Sequence, residues 1–192
     1  HSGNSGFTLV ELIVALVIVA ILLAVAAPNM SGFIFGDRLL TQANGLMADL
    51  SFARSEAVKR GIQVTVCKLP PNPDYGNPVC DNTAADPWTN GWVIWAETPP
   101  ANGTIDAGEP VLRVRQRLDG ADGSGNRLLG AGGTVNRFGF TGLGTATVGG
   151  PSELRLCDNR GPGRGVAIAI RPTGRIRVTE KGKDWQGNAL AC

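Results

Sequence analysis

The sequence predicts an α+β domain in which one long N-terminal helix packs on antiparallel β-sheets. Three observations predict it. Residues 12–27 are sixteen consecutive side chains without a polar group. Farther on, Leu39, Ala43, Leu46, Leu50, Ala53 and Ala57 are spaced alternately by four and three, the pattern of one apolar helix face. Thereafter seven short apolar runs are separated by Gly, Pro, Asn and Asp clusters, and 27 glycines are spread among these breaks rather than gathered in one tract.

The elements follow in order. Counted from Phe7, the first apolar run reaches 21 residues, close to the roughly 20 that a helix needs to cross a hydrocarbon core. Residues 7–28 are therefore expected to be a membrane-spanning helix. A secretory signal would be shorter, and the lead HSGNSG carries no positive n-region, although AVAAPN resembles a cleavage site. The start at His1 without an initiator Met reads as a fragment whose basic leader is missing. Pro28 is expected to kink or interrupt the helix, since it lacks an N–H and clashes with the preceding turn. Residues 29–61 continue it as an amphipathic helix. Asp49, Arg54, Glu56 and Arg60 fall mainly off the apolar face, and Lys59, Arg60 and Gly61 make a plausible C-terminal end. Residues 62–192 form the β-rich domain, with strands expected at IQVTV, GWVIWA, VLRVRQRL, VNRFGF, ELRLC, VAIAIR and RIRVT. Prolines are too dense in KLPPNPDYGNPVCDNTAADPW for a continuous strand, so that stretch is expected to be a long loop.

One acid, Glu11, sits inside the apolar run. A carboxylate at the centre of a bilayer-spanning helix costs on the order of 2.5–3.5 kcal/mol, less near its end, so one that is kept calls for a charge partner. No cation lies within the run. Cleavage between Gly6 and Phe7 would create an α-ammonium one helical turn from Glu11, and a neighbouring copy would offer the same group.

GFTLVEL, followed by an apolar helix and Pro28, closely resembles the class III signal of type IV prepilins and type II secretion pseudopilins. The resemblance implies that residues 1–6 are the end of a prepilin leader, that a prepilin peptidase cuts after Gly6, and that the new N-terminal residue Phe7 is methylated. It also implies that Glu11 neutralises a neighbouring subunit's amine during filament assembly. LSFARSEAVKRG, NGWVIW, GTIDAGEPVLR, a cysteine late in the sheet and PTGRIRV resemble one branch of that family, the GspH/FimT-type minor pilins and pseudopilins. Expected from it are a helix packed on a sandwich-like pair of sheets and no enzymatic activity. Its setting is the inner membrane, crossed once, with the domain in the periplasm, and a pilus or pseudopilus after assembly. Its partners are other major and minor pilins or pseudopilins. The alternative within the same branch is a type II secretion pseudopilin that acts in protein export without DNA.

The cysteines Cys67, Cys80, Cys157 and Cys192 allow three pairings, of which Cys67–Cys80 and Cys157–Cys192 is favoured and points to an oxidising compartment. With His1 the single histidine and no C-x-x-C, a zinc site is not expected. The same shortage leaves a Ser-His-Asp or Cys-His site without a base. The glycine clusters contain neither a dinucleotide fingerprint nor a P-loop, so no cofactor is expected. NGTIDAGE has oxygen ligands but not EF-hand spacing, and reads as a hairpin turn.

Charge is uneven. Residues 1–110 carry 5 basic and 10 acidic side chains, and residues 111–192 carry 13 and 6, so the parts are −5 and +7. Such asymmetry points to an anionic partner for the second part. Arg113, Arg115 and Arg117 share one parity and are expected on one strand face, with Leu112, Val114 and Leu118 on the other. In RPTGRIRV, a turn at Pro172, Thr173 and Gly174 presents Arg175 and Arg177 on one face, with Ile176 inward and Arg171 arriving from the other arm. GRIR matches the G-R-x-R motif by which FimT-like minor pilins bind DNA in natural transformation. The resemblance assigns that role to Gly174, Arg175 and Arg177, and proximity adds Arg171, Lys181 and Lys183. Phosphate contacts would make such binding sequence-nonspecific and salt-sensitive. Trp185 is placed to stack on a base, whereas Trp88, Trp92 and Trp95 read as core or strand residues.

Overall fold

The computed structural model describes residues 7–83, 87–118, 126–134 and 136–192, and the side chains of 25–31 and 133 lie outside that description. The chain divides after Arg38 into two units. A single helix, α1, is assigned over Leu9–Arg60. It is not interrupted at Pro28, contrary to one of the two outcomes expected there, because one missing N–H leaves the neighbouring i to i−4 bonds of the ladder in place. In the first unit the large apolar side chains from Leu9 to Leu23 are each at least 50% exposed, on all sides of the helix. Among the described residues no helix is long and apolar enough to cross a membrane. The predicted span 7–28 runs into residues whose side chains lie outside the description.

The second unit is built by the helical residues from Leu39 onward and eight strands: β1 Val64–Lys68, β2 Trp92–Ala96, β3 Val111–Arg115, β4 Arg127–Ala131, β5 Arg137–Phe140, β6 Ser152–Cys157, β7 Val166–Ile170 and β8 Ile176–Val178. They form two four-stranded sheets, ordered β3-β2-β1-β5 and β4-β6-β7-β8. Every pairing is antiparallel. All six apolar positions predicted on the helix face, Leu39 to Ala57, are buried at 0–3% exposure. They share one core with Val64, Val66, Ile94 and Phe140 of the first sheet and Leu154, Ile168 and Ile170 of the second. Leu46 and Leu50 alone contribute about 1.5–3 kcal/mol each by burial. Arg60 closes the helix, and Gly61 follows at φ 67° with its N–H on the Ala57 carbonyl at 2.9 Å, a left-handed cap that favours glycine.

Seven of the eight strands coincide with predicted runs, and β4 is the one missed. Its Gly130 has no room for a side chain, since a Cβ would lie 2.2 Å from the Thr134 carbonyl oxygen and 2.8 Å from Trp88 Nε1. Residues 69–83 of the proline-rich segment form a loop as expected, joined to β1 by Cys67–Cys80, and residues 84–86 lie outside the described residues. Leu69, Tyr75 and Cys80 pack with Val93 and Trp95, covering the outer face of the first sheet.

Two charge assignments need correction. Asp49, expected off the apolar face, is fully buried. Arg113 and Arg115, expected on one strand face as basic groups for an anionic partner, turn to it: Arg113 Nη1 donates at 2.6 Å and Arg115 through Nε and Nη2 at 2.9 and 2.8 Å, while Trp92 Nε1 donates at 3.1 Å. The parity rule correctly put the two arginines on one face. That face meets α1, because a buried carboxylate draws in charged donors when apolar burial alone would leave it unsatisfied. Arg113 also lies 4.0 Å over the Phe52 ring.

Candidate functional site

The hairpin between β7 and β8 is the basic feature that the sequence singled out. Its turn closes through Gly174 N–H to the Arg171 carbonyl at 2.8 Å, and Arg171 N–H donates to the Arg175 carbonyl at 3.0 Å. Gly174 sits at φ 76°, and a Cβ there would lie 1.8 Å from the Gly144 carbonyl oxygen. The close approach that this glycine allows is therefore to Gly144 inside the fold. The same carbonyl accepts from Arg54 Nε at 2.9 Å, and the Pro172 carbonyl accepts from Ala146 N–H at 2.9 Å. Helix, 141–146 turn and hairpin are thus knitted together.

Strand alternation then sorts the side chains. Ile176 and Val178 pack against the core, while Arg175 and Arg177 are exposed. Among the described residues no carboxylate forms an ion pair with Arg171, Arg175, Arg177 or Lys181. The predicted residues line two different grooves. Arg171, Arg177 and Lys183 line a groove of about 460 Å³ together with Trp185, Glu180 and Asp184. Arg175 instead lines a groove of about 540 Å³ with Arg54, Val58 and Lys59 at the end of α1. Lys181 is exposed and lines neither.

In the first groove Lys183 pairs with Glu180 at 2.9 Å, and this contact holds the lysine above and the glutamate below their ordinary pKa ranges. Burial pushes the Asp184 carboxyl upward, but the backbone N–H groups of Asn188, Gln186 and Gly187 outweigh it and leave the group below its usual range. Asp184 is thereby committed to shaping its own turn, as Gln186 and Asn188 N–H donate to its Oδ1 at 2.9 and 2.8 Å. Arg171 lies 5.9 Å from the Trp185 ring centroid.

Trp185 is held from beneath. Glu153, only 2% exposed on β6, accepts the Trp185 N–H at 3.0 Å with one carboxylate oxygen and Arg155 Nε at 2.5 Å with the other. Cys157–Cys192 ties the end of the chain to β6, and Leu190 packs with Cys157 and Ala167. Both disulfides are those favoured from the sequence. Sequence reasoning counted Glu153 only as a negative charge. The one available signal was an acid inside an alternating apolar strand, ELRLC. Asp106, Asn102, Thr104 and Glu109 of the acidic turn bond mainly to one another and to nearby backbone. Among the described residues no group of three or more His, Cys, Asp or Glu is placed to hold a metal ion.

At the other predicted site, Gly6 lies outside the described residues. Phe7 is 80% exposed, and Thr8 Oγ1 accepts the Glu11 N–H at 3.3 Å, the pattern of a helix N-cap. The Glu11 side chain is exposed, and the first basic residue after it in the sequence is Arg38.

Two family models match the chain: the prokaryotic N-terminal methylation motif over residues 1–27, and the type II transport protein GspH over residues 42–174. The chain belongs to the GspH family. Its fold is similar to that of the type IV minor pilin FimU of Pseudomonas aeruginosa PAO1 in two crystal forms. One matches with TM-score 0.58 and 24% identity over 81% of this chain and 98% of that one, the other with 0.54 and 22% over 78% and 98%. A search of curated proteins found no match. Family and fold are those of structural pilin and pseudopilin subunits of type IV pili or type II secretion systems, not those of enzymes.

Proposed function

We propose that this GspH-family chain is a minor pilin or pseudopilin that is inserted in the inner membrane through residues 7–28 and drawn from there into a filament that it helps to initiate. A prepilin peptidase cuts between Gly6 and Phe7, Phe7 is methylated, and the domain stays in the periplasm. The observation that carries this reading is the helix bearing exposed apolar side chains from Leu9 to Leu23 and a single acid, Glu11, one turn from Phe7. Apolar side chains on all sides of a helix suit lipid first and neighbouring helices afterwards. In that setting Glu11 gains a partner when the Phe7 ammonium of an adjacent subunit comes alongside, so charge pairing fixes the register of assembly. Glu11→Ala is expected to abolish incorporation into filaments, and Arg175→Gln to leave it intact, as read by immunoblots of sheared filaments. Normal incorporation of the Glu11→Ala chain would refute the pairing.

A second role on the same subunit is sequence-nonspecific DNA capture for uptake by the G-R-x-R hairpin. It is supported by the exposure of Arg175 and Arg177, neither of which forms an ion pair with a carboxylate among the described residues, and by Arg171 and Lys183 in the groove that Arg177 lines. Planar guanidinium forks suit phosphate oxygens. Log K should fall with log salt by about 0.9 per duplex phosphate neutralised, and Arg175→Gln/Arg177→Gln should weaken binding and flatten the slope. If parent and double variant are equally inert at low salt, the hairpin is a protein-facing surface. The secretion reading, a GspH-like pseudopilin acting in export, then predicts that loss of the chain impairs exoprotein release and leaves transformation untouched.

A further inference from the structure

We infer that the groove beside β8 is a nucleotide pocket for unpaired DNA, in which Trp185 stacks on one extruded base while Arg171, Arg177 and Lys183 hold the flanking phosphates. The inference rests on the DNA-capture reading above and adds which form of DNA the groove takes and which residue selects it.

Three features of the groove bear on this. Its contents are mixed: an indole, three cations and two carboxylates share about 460 Å³. A surface serving only to attract a polyanion gains nothing from an aromatic wall. A base has a π-face for the indole, and its phosphates meet the cations. Every base offers such a face, so stacking of this kind is tolerant of sequence.

The main chain that carries Trp185 is also fixed before any ligand arrives. Its backbone N–H is bonded to the buried Glu153 carboxylate, the Asp184 turn precedes it, and Cys157–Cys192 anchors the chain beyond it. Preorganisation of the platform lowers the ordering cost of binding.

Finally, the geometry disfavours the interior of a duplex. Bases inside a double helix are stacked on their neighbours and reach a side-chain platform only after unstacking and unpairing, which single strands, ends and frayed stretches avoid. The Arg171 guanidinium lies over the Trp185 ring, 5.9 Å from its centroid, and Arg177 lines the same groove, so two cations stand near the indole for the phosphates of an extruded base.

The test measures binding of the full chain in detergent micelles to a fluorescent 20-residue mixed-sequence single strand and to the corresponding blunt duplex, at one salt concentration. Variants are Trp185→Ala, Trp185→Phe and Arg177→Gln, each checked for the absence of free thiols. Trp185→Ala should weaken single-strand binding by about 5- to 150-fold, the span reported by alanine substitution for one stacked base. It should barely change duplex binding. Trp185→Phe should restore most of the loss, and Arg177→Gln should weaken both forms. If the chain binds both forms and Trp185→Ala moves neither, or moves both alike, the pocket is refuted and DNA capture by charge stands. If the parent binds neither form at low salt, DNA capture itself falls and the pocket with it.

Discussion

Replacing Asp49 with Ala tests the charge cluster under α1. The carboxylate is fully buried and takes four donors: one from Arg113, two from Arg115 and one from Trp92. The consequences differ by donor. Trp92 is 1% exposed, so its N–H would lose its partner without reaching water, at about 1–3 kcal/mol. The arginine side chains are 36% and 44% exposed, so they can turn outward and be solvated, and their loss is nearer that of surface pairs, up to about 1 kcal/mol each. Together these give about 3 kcal/mol for Asp49→Ala. Asp49→Asn keeps an acceptor for Trp92 and should lose roughly half as much. Urea unfolding of a fragment beginning at residue 29, followed by tryptophan fluorescence, reads the difference as a shift in midpoint at unchanged m-value. Equal stability of Asp49→Ala and the parent would refute the reasoning, and equal losses for Ala and Asn would refute the special weight placed on Trp92.

Three further outcomes are expected. Cys157→Ser/Cys192→Ser releases a loop of sequence separation 35 and should destabilise by up to about 4 kcal/mol, against about 3 for Cys67→Ser/Cys80→Ser with separation 13, ranked by the same urea midpoints. Burial raises the Asp81 pKa, but the Thr83 N–H and Lys68 outweigh it and leave the carboxyl depressed. Its contribution to stability is thus present above the unfolded value of about 3.9 and lost as pH falls through the folded one, so Asp81→Asn should flatten the fall in stability below pH ~4. Gly174→Ala should destabilise by about 2–4 kcal/mol, from left-handed strain of about 1–2 and loss of one or two hydrogen bonds around Gly144, and an unchanged midpoint would contradict the hairpin geometry.

The apolar face of α1 was legible because its period is set by helix geometry alone, and Leu39 through Ala57 all reached the core. Seven strands were legible for the corresponding reason, alternation between breaker clusters. β4 escaped because RLLGA, with Gly130 forced by the nearby Thr134 carbonyl and Trp88, neither alternates nor favours strand. Asp49 escaped for a different reason. A polar residue on an apolar face is read as exposed unless its partners are known, and Arg113 and Arg115 lie more than sixty residues away. The grouping of Arg171, Arg177, Lys183 and Trp185, with Arg175 apart, depends on how the C-terminal segment folds back on β6 and β7. No local period encodes that.

The G-R-x-R match divides once the fold is known. Gly174 has a complete structural explanation, since its positive φ and its approach to Gly144 exclude any other residue whether or not DNA is ever bound. Ile176 is likewise explained by its packing against the core. The arginines are not explained in this way: both are exposed and, among the described residues, neither forms an ion pair with a carboxylate, Arg177 acting on Glu180 only at longer range. A hairpin of this shape needs glycine and an inward apolar residue at those positions, whereas lysine, glutamine or threonine at 175 and 177 would fold as well. Any functional content of the motif therefore lies in the two arginines. Single substitutions add to the double variant: Arg177→Gln tests the Trp185 groove, and Arg175→Gln the groove at the end of α1.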